Sequence, residues 1–148
     1  MRKLIVTATM LALLLPLAAL GVAEAKPLPG DGPNLPKDTE PCGEQYKHTP
    51  PGEGVQLVQD CPLWQGNVPV YELSNSGIRQ IGELEQTDGN WFSCQKRFTD
   101  RSYEVPGTDY VNNWWAWTMA DNHKRGWVPV AYFAGGVNNQ GDGGLVVC

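Results

Sequence analysis

A small all-β barrel is the fold class that this 148-residue sequence predicts, and three observations carry the prediction. Residues 112–136 spell two short aromatic segments, 114–119 and 127–130, around a run of turn formers and charges at 121–126, which is how a tight hairpin is written. Upstream lie further short runs of Val, Leu, Ile, Trp and Phe, each closed by Gly, Asn, Asp or Ser. No segment sustains an apolar period of about 3.6 residues, so helix content should be low. Five or six short strands fit a closed barrel better than a sandwich, because closure removes the exposed edges of a short sheet.

The chain opens on an export signal. Arg2-Lys3, an apolar run over 4–20 and the small-x-small site Ala23-Glu24-Ala25 make a secretory signal peptide over 1–25, cleaved after Ala25. Thr7, Thr9 and Pro16 interrupt the run, and it is short beside the roughly 20 apolar residues of a bilayer span, which argues against an uncleaved anchor. No Cys follows the run and no Arg-Arg pair precedes it, so neither lipidation nor twin-arginine export is indicated. The mature chain is expected to be secreted, extracellular, soluble, monomeric and free of the membrane after cleavage.

Residues 26–54 come next, with 7 Pro and 5 Gly and few large apolar side chains. Such a composition cannot bury a core, so an extended or disordered Pro/Gly-rich linker is expected; its irregular Pro spacing favours a spacer over a polyproline ligand. The folded unit should occupy 55–148. Within it, 68–73 and 78–85 read as strands around the turn 74–77, with Pro69 limiting the first to an edge or a strand start. Asp88-Gly89-Asn90 is a hairpin turn leading into a strand over 91–96. The polar stretch 97–113, turning at Pro106-Gly107, is long for a loop in so small a domain. In the aromatic strand, side-chain alternation puts Trp115, Trp117 and Met119 on one face and Trp114, Ala116 and Thr118 on the other. The bulkier set is expected inside, which leaves Trp114 facing out.

Charge and chemistry narrow the function. The mature chain holds nine Lys and Arg against fifteen Asp and Glu, a formal charge of −6. That sign is wrong for general binding to nucleic acid, anionic lipid or teichoic acid, and the small basic runs Lys96-Arg97 with Arg101 and Lys124-Arg125 read as solvated loop charge. An enzyme is not expected. Ser74, Ser76, Ser93 and Ser102 coexist with two histidines, yet no nucleophile elbow frames any of them. Glu83 and Glu85 sit two apart on a strand, but with no aromatic sugar cleft around them they read as a solvated face. The glycines at 135–136 and 141–144 lack the Lys-Ser/Thr setting of a phosphate loop, and Asn138, Asn139 and Asp142 make a flexible turn rather than a calcium site. No cofactor is called for. All four cysteines, Cys42, Cys61, Cys94 and Cys148, follow the export signal, so two disulfides and no free thiol are expected, with three pairings open. No Cys-x-x-Cys pair exists and His48 and His123 are not spaced as zinc ligands, so no metal site is expected.

The residues Trp114-Trp115, Gly126-Trp127-Val128-Pro129 and Tyr132 together resemble the Src-homology-three-like barrels of secreted Gram-positive bacterial proteins, over about residues 66–148. By that resemblance Trp114, Pro129 and Tyr132 would line a ligand groove. Of the three pairings we favour Cys42–Cys61, which would staple the leader to the barrel entrance, with Cys94–Cys148, which would tie the C-terminal tail to a strand. The resemblance points the same way, through the pairing of a Gly-Leu-x-x-Cys ending with a Trp-Phe-x-Cys strand, here Trp91-Phe92-Ser93-Cys94. The function expected is a secreted, non-catalytic binding module docking on the cell envelope, through cell-wall peptide. The alternative is a partner-binding protein, such as an inhibitor of a secreted enzyme or a small secreted effector.

Overall fold

Turn chemistry decides where the chain reverses. In the computed structural model, which describes residues 42–135 and 137–148, Asn75-Ser76 form a two-residue loop closed by a Ser74↔Gly77 pair, with Gly77 at φ 132°. This loop joins strand β3 (Val68–Ser74) to β4 (Gly77–Leu84). The hairpin in the aromatic region joins β9 (Trp114–Met119) to β10 (Arg125–Pro129) through Asn122, whose Oδ1 accepts from Lys124 N–H, and His123, at φ 65°. A single 3-10 turn, Val130–Tyr132, follows β10. The signal peptide and residues 26–41 of the expected linker lie outside the described residues.

The remaining strands are β1 (Tyr46–His48), β2 (Gln56–Asp60), β5 (Trp91–Phe92), β6 (Cys94–Arg97), β7 (Tyr103–Glu104) and β8 (Val111–Asn112). The described residues are thus all-β, arranged as three sheets of order β1-β2-β5, β4-β3-β10-β9-β6 and β7-β8. Among them the ladders do not close into a barrel. β5 and β6 are one run broken at Ser93, whose N–H donates to the Trp117 carbonyl at 2.9 Å, so the same segment leaves the three-stranded sheet and enters the five-stranded one.

The core lies between these two sheets. Val68, Val70, Leu84, Ala116 and Val128 come from the five-stranded sheet, and Leu63, Phe92, Phe133 and Leu145 close it from the other side, with the Phe92 and Phe133 rings 4.7 Å apart. Gly126 is buried where β10 crosses β3. A Cβ there would lie 2.7 Å from the Tyr71 carbonyl oxygen, so only glycine lets the two strands approach.

Three sequence expectations change. The Pro/Gly-rich region is not featureless to residue 54: Tyr46–His48 pairs with β2, and Cys42 is buried in a disulfide with Cys61. The polar stretch 97–113 is a folded arm, since β7 and β8 pair around Pro106-Gly107. The third change concerns β9. Ala116 stands opposite Gln95 and Val128 in the ladder, which places Trp114, Ala116 and Thr118 on the core side and Trp115, Trp117 and Met119 on the outer side, the reverse of the expectation. Trp115 is nonetheless 0% exposed, because the arm lies over it.

Both edges of the five-stranded sheet are covered. At β6, Gln95 and Val147 form a parallel bridge, the second disulfide joins Cys94 to Cys148, and the buried Gln95 amide donates to the carbonyls of Asp142 and Leu145. At β4, Asn122 Nδ2 donates to the Ile81 carbonyl, Asp121 N–H to that of Glu83, and Arg101 to that of Gly77. An edge so occupied cannot template pairing with another chain.

Candidate functional site

Register builds an aromatic row on the outer side of this sheet. Tyr71 on β3 stands opposite Trp127 on β10, Trp127 opposite Trp117 on β9, and Trp117 opposite Cys94 on β6. Directly paired residues share a face, so the row crosses four strands without a break. The Trp117 and Trp127 indoles lie 4.9 Å apart at 58°, and Phe98 meets Trp127 edge-on at 5.2 Å. Trp117, Trp127 and Phe98 are all partly exposed and none belongs to the core cluster or packs against it. The Lys96 ammonium sits 5.3 Å over the Phe98 ring. Gln80, opposite Tyr71, is exposed at the far end of the row.

The arm covers one end of this face. Trp115 Nε1 donates to the Arg101 carbonyl at 3.1 Å, and its ring meets Tyr71 and Tyr103 edge-on at 5.9 and 5.8 Å. Three phenols then link in a chain, Tyr71 to Tyr103 at 2.9 Å and Tyr103 to Tyr132 at 3.1 Å. Burial first, and then the hydrogen bond with Tyr103, holds the hydroxyls of Tyr71 and Tyr132 well above the usual phenol range. The chain of hydroxyls ties the arm to the sheet.

At the other end Arg125 lies 5.0 Å over the Trp91 ring, and His48 packs on that same ring at 4.9 Å. Arg125 Nε donates to Glu53 Oε1 at 2.6 Å, with a second contact from Nη2 to Oε2. The guanidinium hydrogen bond lowers the Glu53 carboxyl to about 2. This pair fastens the 42–55 segment to β10.

The residues that the resemblance would place in a groove are elsewhere. Pro129 is buried, and Tyr132 is 3% exposed. The Trp64 ring stacks on Tyr132 at 6.0 Å while its Nε1 donates to the Ala131 carbonyl, and Tyr110 packs edge-on against Trp64. Trp114 is packed against the core, with the C-terminal loop on it: a Cβ on Gly141 would lie 3.1 Å from its indole. Trp114, Pro129 and Tyr132 therefore form no open groove. Pro129 and Tyr132 are buried, and Trp114, partly exposed, carries the C-terminal loop against its ring.

Other candidates organise the fold. Asn138 accepts from Val111 N–H and donates to the Asp109 carbonyl, and Asp142 Oδ1 accepts from the backbone of Gly144 and Leu145, which is turn chemistry. Among the described residues no three His, Cys, Asp or Glu side chains converge as metal ligands. Glu83 and Glu85 are both exposed. No protein-family model matches this chain, nor does any curated protein or solved structure.

The sequence reading placed Trp117 inside and left Trp127 and Phe98 out of the candidate surface. A signal was present: 114–117 is a continuous apolar run rather than an alternating one, which is the pattern of a strand covered on both faces.

Proposed function

We propose that the chain is a secreted, non-catalytic binding domain of Src-homology-three-like type that docks on the cell envelope through the outer aromatic row. The observation that carries this reading is the pair of partly exposed indoles, Trp117 and Trp127, held in register on a sheet and extended by Phe98. Aromatic side chains bring large contact area at low entropic cost, and they dominate small binding surfaces. Fixed to strands rather than loops, the two indoles are already ordered before contact, which lowers the cost of association. The Src-homology-three-like assignment is supported by where the motif falls: Trp114-Trp115 opens β9, Gly126–Pro129 lies in β10, and Tyr132 closes the 3-10 turn that follows. The contact surface moves from Trp114, Pro129 and Tyr132 to Trp117 and Trp127 on the outer side of the hairpin, because Pro129 and Tyr132 are buried and Trp114 lies on the core side under the C-terminal loop.

Co-sedimentation with purified cell wall tests the reading. Wild type should pellet, and should still pellet at moderate salt, because a chain of net charge −6 gains little from long-range attraction to an anionic wall. Trp127→Ala, confirmed as folded, should stay in the supernatant. Wild type that does not pellet removes the envelope reading and favours an extracellular protein partner. Binding that vanishes with salt would implicate Lys96, Arg97, Lys124 and Arg125 instead.

A further inference from the structure

We infer that the outer row takes the sugar rings of a neutral, N-acetylated glycan strand, stacked on Trp117 and Trp127; this rests on the envelope reading above and names its ligand class. The covered edges of the five-stranded sheet argue against an extended peptide at this row. Strand addition is the route by which a sheet binds such a peptide, and it needs free N–H and C=O groups along an edge. Here the C-terminal tail occupies the β6 edge, while Asp121, Asn122 and Arg101 occupy positions along β4. On the five-stranded sheet what remains accessible is a face, and a face of indoles recognises by stacking.

The chemistry of that face suits a pyranose. An aromatic ring carries negative charge on its face, which attracts the weakly positive C–H bonds presented by one side of a sugar ring. Two indoles in adjacent strands, 4.9 Å apart and mutually tilted, offer two such surfaces to a twisting chain of rings rather than one flat slot. Hydrogen-bonding groups stand at the rim, where sugar hydroxyls and acetamido groups would need them: the Lys96 ammonium beside Phe98, and the exposed Gln80 amide opposite Tyr71. Charge selects among polymers. The chain's net negative charge disfavours phosphate-rich polymers, whose binding requires neutralisation, whereas an uncharged hexosamine backbone carries no such requirement.

The test is a nuclear magnetic resonance titration of the isotope-labelled secreted protein with a soluble oligomer of β-linked N-acetylglucosamine, and in parallel with a sugar-free wall stem peptide. The indole N–H signals of Trp117 and Trp127 should move with the sugar and stay still with the peptide. Trp117→Ala and Trp127→Ala should each weaken sugar binding by about tenfold or more. Phe98→Ala, at the rim of the pair, gives a milder variant should the tryptophan variants fail to fold, and it should weaken binding severalfold. No response to the sugar, or a response confined to the other indoles, overturns the proposal. If wall co-sedimentation persists in that case the envelope reading stands alone, and if it is lost both fall.

Discussion

Trp115 and Trp117 sit two residues apart on one side of β9, and their surroundings give them different roles. Trp115 is sealed by the arm and hydrogen-bonded to Arg101, so Trp115→Ala should cost about 3–5 kcal/mol in denaturant unfolding. Trp117 keeps part of its ring in solvent, so Trp117→Ala should cost clearly less; equal losses would mean that the arm does not cover the face as described. Gly126→Ala should destabilise by about 1–3 kcal/mol, since the added methyl meets backbone of β3 that cannot yield cheaply. The phenols supply a pH test. Tyr71 and Tyr132 are held protonated beyond the ordinary range by burial and by Tyr103, and Tyr46 is pushed up to about 12, by burial first and then by its hydrogen bond to Asp60. The unfolded chain therefore releases these protons before the folded one does. Stability is full below about pH 10 and falls as pH rises past it. Absorbance titration should show late phenolate formation that coincides with unfolding. Early and complete ionisation of a still-folded protein would contradict the buried chain of hydroxyls.

At the scale of elements, the C-terminal tail and the arm decide what the sheet exposes. The tail is bolted by Cys94–Cys148, partners 54 positions apart in sequence, and by the amides of Gln95 and Gln59 gripping its backbone. Replacing both cysteines of this pair with Ser should cost about 4 kcal/mol by the loop-entropy relation, measured as a shift in the unfolding midpoint. The same variant should expose the β6 edge and increase self-association, which light scattering would detect. A second fastening is the Glu53–Arg125 pair. With the Glu53 carboxyl lowered to about 2, its contribution is present above the ordinary carboxylate range and is lost as pH falls toward that value. The Glu53 carboxyl signal should titrate accordingly, and an ordinary value would show that the 42–55 segment is not pinned to β10. The strands bounded by strong turns were legible in the sequence: 68–73, 78–85 and 114–119 lie on β3, β4 and β9 to within a residue or two. β1, β7 and β8 were not, because two or three residues carry no measurable period and a window rich in Pro and Gly averages a short strand away. The faces of β9 were misread for a different physical reason. Alternation separates inside from outside only where one side is wet, and here the core covers one side and the arm much of the other.

For the molecule as a whole, the all-β class was legible from turns and the missing helical period, whereas the surface left open depends on which segments fold back over the sheet. No local pattern in 97–113 or 137–148 announces that these segments cover Trp115 and pack on Trp114, so a reading from motif alone assigns contact residues of which the fold buries two, Pro129 and Tyr132. The central claim is that Trp117 and Trp127 form the contact surface. Hydroxyl-radical footprinting with mass-spectrometric mapping, run on the free protein and on the protein bound to cell wall, tests it most directly. Trp117 and Trp127 should be oxidised in the free protein and protected on the wall, while Trp115, sealed by the arm, should react little in either state and the oxidation of Trp114 should not change on the wall. Protection that appears at Trp114, or unchanged oxidation of Trp117 and Trp127 in wall-bound protein, would contradict the account.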